Sequence, residues 1–195
     1  MHRYLTDYIL DITQNSFEAK SKHVWLTISE DDRYFSFSVK DDGKGMSQEI
    51  LNKVLDPYYT DGIKHSKRKV GLGIPFLVQT AKETGGTFDI DSKVNNGTKV
   101  SSSFDLCNID TPPIGDISST LLALISSPQA SFFECVREIK TVKGQSSYTL
   151  SRDDLIDALG DIETAGNLFM LREFIRNQEA SLSDYFVDRK LIFNK

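Results

Sequence analysis

The sequence predicts an α+β layered sandwich, in which helices pack against a sheet, and two observations support that fold class. First, the apolar period switches along the chain between the three- and four-residue spacing of a helix and the two-residue spacing of a half-buried strand. Second, the alternating segments come in pairs joined by short polar turns, which is typical of antiparallel hairpins and not of a doubly wound sheet. At 195 residues, the chain is long enough to bury most of its apolar surface without disulfide bonds.

The chain opens with a predicted helix and a predicted hairpin. Residues 4–19 have helical spacing, with an inner stripe of Leu5, Tyr8, Ile9, Ile12, Ser16 and Ala19. Two alternating segments follow at residues 24–29 and 34–39, and the polar residues 30–33 between them predict a turn.

The middle of the chain alternates between glycine-rich breaks and short helices. Residues 41–45 break the second strand, and a short helix is predicted from the N-cap Ser47. Residues 59–70 have no apolar period and collect five basic side chains, which predicts a loop. A helix is predicted at residues 73–84, followed by strands at residues 88–90 and 100–106.

The segment at residues 110–115, with two consecutive prolines, predicts a boundary in the chain. We therefore expect one domain at residues 1–107, a linker at 108–115, and a small α+β domain at 116–195 whose role the sequence does not reveal. Within that last part the spacing predicts a helix at 116–126, strands at 131–139 and 146–150, and helices at 151–160 and 164–180.

Composition narrows the class of partner. The formal net charge is −5, which disfavours nucleic acid as a partner. No apolar run approaches the ~18 residues of a membrane helix, and the N-terminus lacks the features of a signal peptide. The two cysteines, Cys107 and Cys135, are predicted to be free, buried thiols. A cytoplasmic protein that contacts neither nucleic acid nor membrane is expected, and a homodimer is compatible with the sequence.

Three separated fragments carry groups suited to nucleotide chemistry. Asp11 and Asn15 lie four residues apart on one helix face, where they are either a solvated surface or oxygen ligands suited to Mg²⁺. Asp41 ends a strand ahead of two glycines, which is either an ordinary turn or a carboxylate placed to accept a hydrogen bond from an exocyclic amine. The run Val70-Gly71-Leu72-Gly73-Ile74 precedes a helix, where backbone N–H groups favour phosphate.

The order and spacing of these fragments resemble the ATP-binding domain shared by histidine kinases, anti-sigma-factor kinases, gyrase and MutL, the GHKL superfamily. ILDITQNSFEAK resembles its asparagine box, VKDDGKGMS its first glycine box, and LDPYYT the Pro-Phe-Phe-Thr element of histidine kinases. VGLGIPFLVQTAKETGGTFDIDSKVNNGTKVSSSFDL resembles the second glycine box through the closing strand. The resemblance covers residues 5–106 and implies the Bergerat-type fold, a two-layer sandwich with a mixed, mostly antiparallel sheet and helices on one face.

The resemblance also implies ATP and Mg²⁺ as ligands and assigns roles to residues. Asn15 would coordinate Mg²⁺, and Asp41 would bind the adenine amino group. The remaining nucleotide-binding candidates are Ala19, Gly43, Gly45, Met46, Lys69, Val70, Gly71, Leu72, Gly73, Ile74 and Thr98. Residues 59–70 would form a lid over the nucleotide, with Tyr59, Thr60, Lys64, Lys67 and Arg68 as its candidate contacts, although a basic loop can also simply be solvated.

Two departures from the family pattern bear on activity. Members that hydrolyse ATP usually have Glu four residues before the asparagine, where this chain has the shorter Asp11, a candidate base. Lys69 stands where many relatives have the leading glycine of the second box.

Three functions stay open from the sequence. The first is a histidine-kinase-like enzyme without its own phosphoacceptor domain, which hydrolyses ATP slowly or phosphorylates a partner protein. The second is a nucleotide-gated interaction module whose partner binds the C-terminal domain. A MutL-like repair ATPase is disfavoured, because the Gly-Phe-Arg-Gly-Glu-Ala-Leu motif of that family is missing.

Overall fold

The secondary structure follows the predicted periodicity closely. The computed structural model describes residues 2–55 and 73–187. Within those ranges the helices are α1 (Leu5–Glu18), α2 (Gln48–Leu55), α3 (Gly73–Glu83), α4 (Ile117–Ile125), α5 (Arg152–Leu159) and α6 (Ala165–Ser181), with a short 3₁₀ turn at Ser183–Tyr185. The strands are β1 (His23–Asp31), β2 (Tyr34–Asp41), β3 (Thr87–Ser92), β4 (Thr98–Asp105), β5 (Phe132–Thr141) and β6 (Gly144–Ser151).

All six of these strands form a single sheet in the order β3-β4-β2-β1-β5-β6. Leu26 of β1 lies opposite Val39 in the antiparallel strand β2 and opposite Cys135 in the parallel strand β5. The other neighbouring pairs are antiparallel. A parallel pair requires a crossover, and the chain between β1 and β5 supplies it. The predicted mixed, mostly antiparallel sheet is confirmed.

The helices cover one face of this sheet. Along β1 the side chains alternate between buried and half-exposed, so one face of the strand enters the core and the other meets solvent. Leu5, Ile9 and Ile12 of α1 belong to the same buried cluster as Leu26 and Ile28 of β1. The two-layer arrangement expected from the sequence is therefore confirmed.

The chain after residue 107 extends the same sheet and core. Strand β5 pairs with β1 along its whole length, and Leu121 of α4 and Leu171 of α6 share the buried cluster with α1. The sequence predicts these elements as a second unit, and no local pattern indicates that their strands join the first sheet. The division into domains at 1–107 and 116–195 stays a prediction about folding units, and the sheet runs across it.

A buried ion cluster ties the C-terminal segment to the N-terminal part of the sheet. Arg137 of β5 has no exposed surface. Its Nη2 lies 2.8 Å from Oε2 of Glu30 in β1, its Nε lies 3.5 Å from Oε1 of Glu179 in α6, and its Nη1 donates to the Glu138 carbonyl at 2.9 Å. The Tyr148 hydroxyl of β6 donates to Glu179 as well. Charged groups from β1, β5 and α6 thus meet inside the core.

The two cysteines differ in their surroundings. Cys135 of β5 is buried, and that burial raises the pKa of its thiol. Cys107 is exposed, so the expectation that both thiols are buried was wrong for Cys107. It lies just past the end of β4, outside the alternation that directs side chains inward.

Among the described residues, no helix has both the length and the apolar character needed to cross a membrane.

The ion cluster generates a stability prediction. Replacing Arg137 with Ala removes the guanidinium from the buried Glu30 carboxylate, and we expect a loss of about 3–5 kcal/mol in the free energy of unfolding. The matched control is Arg176→Ala, which removes an exposed guanidinium 3.3 Å from Oε1 of the exposed Glu173 and should cost no more than about 1 kcal/mol. Urea unfolding of both variants measures the difference, and equal losses would contradict a special role for the buried cluster.

Candidate functional site

One end of the candidate site is built by α1 and the first residue of α3. Asp11 lies on the half-exposed side of α1, and its carboxylate reaches the N-terminus of α3. A Cβ atom added to Gly73 would overlap Oδ2 of Asp11, so glycine is what allows this approach. Asn15, one turn further along α1, is exposed. Sequence analysis predicted that these three residues belong to one site, and the structure places Asp11 against Gly73.

The Asp11 carboxylate is partly buried. Burial raises its pKa above the ordinary value, with opposing contributions from His2, which lowers it, and Glu18, which raises it further. Nε2 of His2 lies 3.8 Å from Oδ2 of Asp11, and the imidazole stacks on the Tyr8 ring at a centroid distance of 4.3 Å. No local sequence pattern signals the position of His2 beside Asp11.

The other end of the site is centred on Asp41. This residue ends β2 with only 4% of its surface exposed, because it follows the inward alternation of Phe35, Phe37 and Val39. Its two carboxylate oxygens each accept a hydrogen bond. Oγ of Ser16 in α1 donates to Oδ2 at 2.9 Å, and the backbone N–H of Gly43 donates to Oδ1 at 2.9 Å. The carboxylate is therefore held by a helix on one side and by its own turn on the other.

The turn after Asp41 packs too closely for side chains at its glycines. A Cβ on Gly43 would stand 2.9 Å from the Ala19 carbonyl and 3.0 Å from the Ala19 Cβ. Gly45 has φ +58°, and a Cβ there would overlap the Lys93 carbonyl. These contacts place Ala19 and Gly43 next to Asp41, and Gly45 against the backbone of Lys93.

Strand β4 closes this end of the site. Thr98 lies opposite Asp41 in the β2–β4 register. The Thr98 hydroxyl lies 2.9 Å from the Ser92 hydroxyl. The Ser92 hydroxyl oxygen also accepts a hydrogen bond from the Met46 N–H at 2.9 Å. Thr98 and Met46 are thus joined through Ser92, a residue that sequence analysis did not select. A serine in a strand gives no local signal of such a role.

Asp42, next to Asp41, fixes the strand ends outside the site. Its Oδ1 accepts the N–H groups of Lys22 at 2.7 Å and His23 at 2.9 Å, and its Oδ2 lies 2.6 Å from Nδ1 of His23. Desolvation acts to raise the pKa of Asp42, but these hydrogen bonds outweigh it and hold the pKa below its usual value. These contacts give His23 a structural role at the end of the β1–β2 pair.

Several predicted site residues lie outside the described part of the chain. They are the lid candidates Tyr59, Thr60, Lys64, Lys67 and Arg68, and the second-box residues Lys69, Val70, Gly71 and Leu72. Of that box, Gly73 and Ile74 are described. They form the first two residues of α3, with Ile74 packed against the core.

Comparisons with known proteins agree with this geometry. The sequence profile of the family described as "Histidine kinase-, DNA gyrase B-, and HSP90-like ATPase" matches residues 2–108, more than half of the chain. Sporulation kinase C of Bacillus subtilis (strain 168) is 32% identical over 96 residues, which is 48% of this chain and 22% of that protein. Sporulation kinase D of the same strain is 33% identical over 100 residues, or 50% of this chain and 19% of that protein. The chain thus spans about a fifth of the length of these relatives.

A solved structure shows the same fold. The crystal structure of the N-terminal domain of a DNA repair protein is similar over 85% of this chain and 58% of that chain, with a TM-score of 0.51 and 16% sequence identity. The aligned share is larger than the part matched by the family profile, so the likeness in fold includes part of the segment after residue 108.

The packing of Gly45 generates a prediction with an internal control. Gly45→Ala places a Cβ in a left-handed backbone and against the Lys93 carbonyl. We expect the free energy of unfolding to fall by about 1–2 kcal/mol because of the left-handed backbone. The overlap with the Lys93 carbonyl should lower it further by about 1–3 kcal/mol. Gly85→Ala has the same backbone constraint at φ +73° but no atom within 4 Å of the new Cβ, so it should show the first loss alone. Chemical unfolding of both variants tests this, and equal costs would argue against tight packing at Gly45.

The raised pKa of Asp11 predicts how stability depends on pH. A carboxyl whose pKa is higher in the folded chain contributes stability below its unfolded value of 3.8, and that contribution is lost as pH rises through the folded pKa. An asparagine at position 11 does not ionise, so the Asp11→Asn variant does not lose this stability as pH rises. The melting temperature of the variant should therefore exceed that of the wild type at pH 7–8, by a margin that shrinks towards pH 4. Thermal melts across this range measure the margin. A variant that is less stable at pH 8 than the wild type would contradict the burial argument.

Proposed function

Because the chain belongs to the histidine kinase-, DNA gyrase B- and HSP90-like ATPase family, we propose that it binds Mg²⁺-ATP and either hydrolyses it slowly or transfers its γ-phosphate to a partner protein. The observation that carries the proposal is the placement of two carboxylates by one helix. Asp41 is buried beside Ser16 near the C-terminal end of α1, and Asp11, five residues earlier in the middle of the same helix, lies beside Gly73. Such an arrangement suits a ligand with a base at one end and phosphates at the other.

The base end would be formed around Asp41. A carboxylate accepts hydrogen bonds, so it suits the exocyclic amino group of adenine. Gly43 and Gly45 carry no side chain where the turn lies against its neighbours, and Thr98 stands opposite Asp41. Ala19 and Met46 would supply the remaining contacts with the base.

The phosphate end would be formed around the N-terminus of α3. Gly73 and Ile74 begin this helix, and the backbone N–H groups and dipole at a helix N-terminus favour negative charge. From the family resemblance we assign the same role to the backbone of Val70, Gly71 and Leu72, and phosphate contacts to Lys69 and to the lid residues Tyr59, Thr60, Lys64, Lys67 and Arg68.

The described residues fit a magnesium ion that is shared with the phosphates. Asn15 is exposed on α1, one turn from Asp11, and its amide oxygen is a ligand type that Mg²⁺ accepts. Bound there, Mg²⁺ would neutralise phosphate charge and orient the γ-phosphate.

Asp11 is the candidate base for hydrolysis. Burial raises its pKa, which makes its carboxylate a stronger proton acceptor. The side chain is one methylene shorter than the glutamate usual in the family, so a water molecule has to be held closer to α1 for the proton to reach it. We therefore expect slow turnover, since proton transfer depends steeply on position.

A second candidate function is a nucleotide-gated interaction module. The observation that favours it is a set of exposed apolar side chains on α6, where Phe169 is 64%, Met170 54% and Phe174 42% exposed. Exposed apolar patches of this kind are typical of protein-binding surfaces. In this function ATP binding alone would change the affinity for a protein partner.

Nucleotide binding and turnover, measured together, test both functions. We expect the wild-type chain to bind ATP in the presence of Mg²⁺, and Asp41→Asn to weaken binding at least tenfold, because the amide offers one acceptor fewer and a competing donor (a tenfold change is about 1.4 kcal/mol). Asp11→Asn should keep ATP binding and lose ADP production.

The outcomes separate the candidates. Binding with turnover that disappears in Asp11→Asn supports the enzyme, and binding with no turnover that depends on Asp11 favours the interaction module. If the wild-type chain does not bind ATP at millimolar concentration with Mg²⁺, the proposed function is wrong.

A further inference from the structure

Ser16 is a buried polar residue of the site to which neither the family motif nor the proposed chemistry assigns a role. It lies on α1, directly after Asn15, with 6% of its surface exposed. Its hydroxyl donates to Oδ2 of Asp41 at 2.9 Å, across 25 residues of sequence. A second serine, Ser21, donates to the Ser16 carbonyl, so the helix end that carries Ser16 is itself held in place.

This contact is unusual for a serine inside a helix. Such a serine commonly turns its hydroxyl back to the carbonyl of the preceding turn or leaves it in solvent. Thr84 shows the common pattern in this chain, since its hydroxyl donates to the Thr80 carbonyl four residues earlier at 2.9 Å. Ser16 instead directs its one proton to a carboxylate on the sheet. A residue that merely filled space in the core would not need this bond.

We propose that Ser16 is a positioning residue that fixes the Asp41 carboxylate for a purine with a 6-amino group and against a purine with a 6-oxo group. The inference rests on the proposed function, because it concerns the base end of the same site. It goes beyond that function by naming the group that sets the choice between two purine nucleotides.

The choice between the two purines depends on how the Asp41 carboxylate is anchored. The Gly43 N–H holds Oδ1 and the Ser16 hydroxyl holds Oδ2, so rotation about the Cβ–Cγ bond would break at least one of these bonds. With both donors in place, the lone pairs that are left point in fixed directions and can only accept. A 6-amino group supplies the required donor, whereas a 6-oxo group places an oxygen against a buried acceptor. Without Ser16 the carboxylate keeps one anchor and can turn away from either base.

The test compares ATP with inosine triphosphate, which differs at the 6-position and carries the same triphosphate. The wild-type chain should bind ATP more tightly than inosine triphosphate. In Ser16→Ala we expect ATP affinity to fall about tenfold and inosine triphosphate affinity to change less than twofold, so that the preference is largely lost. Ser16→Thr retains the hydroxyl and should restore most of the preference.

Ser102→Ala is the matched control. Ser102 is also buried, at 3% exposed, but its hydroxyl donates to the Thr87 carbonyl at 3.0 Å and has no contact with Asp41. This variant should bind both nucleotides like the wild type. Isothermal titration of the four proteins with both nucleotides gives the required affinities, and thermal melts check that each variant is folded. Alanine is a strong helix former, so Ser16→Ala is expected to fold.

Two results would overturn the inference while leaving ATP binding intact. One is wild-type affinity for both nucleotides in Ser16→Ala. The other is an equal loss for both nucleotides, which would assign Ser16 a purely structural role. Failure of the wild-type chain to bind ATP is a different result, because it would overturn the proposed function and, with it, the basis for this inference.

Discussion

The packing of α1 across the sheet is the constraint on which the candidate site depends. Leu5, Ile9 and Ile12 are buried in the core, and each contributes about 1.5–3 kcal/mol by leaving water. Rotating the helix would expose this stripe, so its orientation is fixed by several kilocalories per mole. Ser16 continues this buried stripe and Asp11 lies on the half-exposed side of the same helix, so each has a fixed position relative to the sheet. The apolar stripe thus determines where the polar groups of the site stand.

The site places polar groups where a core would normally be apolar. Burying a carboxylate such as Asp41 is costly unless hydrogen bonds compensate, and here Ser16 and Gly43 supply two. Asp11 is compensated less completely, which is why burial raises its pKa. Stability is therefore lower than an apolar sequence at these positions could give. Such a cost is expected where side chains are arranged for binding or catalysis and not for packing.

The sequence predicted the elements well because each one depends on a local pattern. The helix expected at residues 4–19 is α1, and the inward position of Asp41 follows from the alternation of Phe35, Phe37 and Val39. The parallel pairing of β5 with β1 was not predictable in this way. Strand β5 begins about a hundred residues after β1, and its place in the sheet depends on the packing of α4 against α1 and α6, which no local spacing reveals.

The contacts of single side chains also differ in whether a local sequence pattern predicts them. The role of Gly45 could be inferred because a glycine in a turn is itself a local signal, and its positive φ agrees with that inference. Ser16 was placed correctly on the inner stripe of α1, but its partner is on the sheet, and His2 gave no sign that it lies beside Asp11. A hydrogen bond between distant elements becomes visible only when both are placed in space.

Strand β1 provides a physical link between the candidate site and the C-terminal segment. Val24 lies opposite Asp41 on one side and opposite Phe133 of β5 on the other. At the far end of the same strand, Glu30 pairs with Arg137, which in turn contacts Glu179 of α6. The strand that supports the base end of the site therefore also holds the helix that carries Phe169, Met170 and Phe174.

A ligand that shifts the β2 end of the sheet has to move β1 with it, because the ladder hydrogen bonds between them run along nearly the whole strand. In the proposed interaction module, a partner bound at α6 would be connected to the nucleotide through this strand.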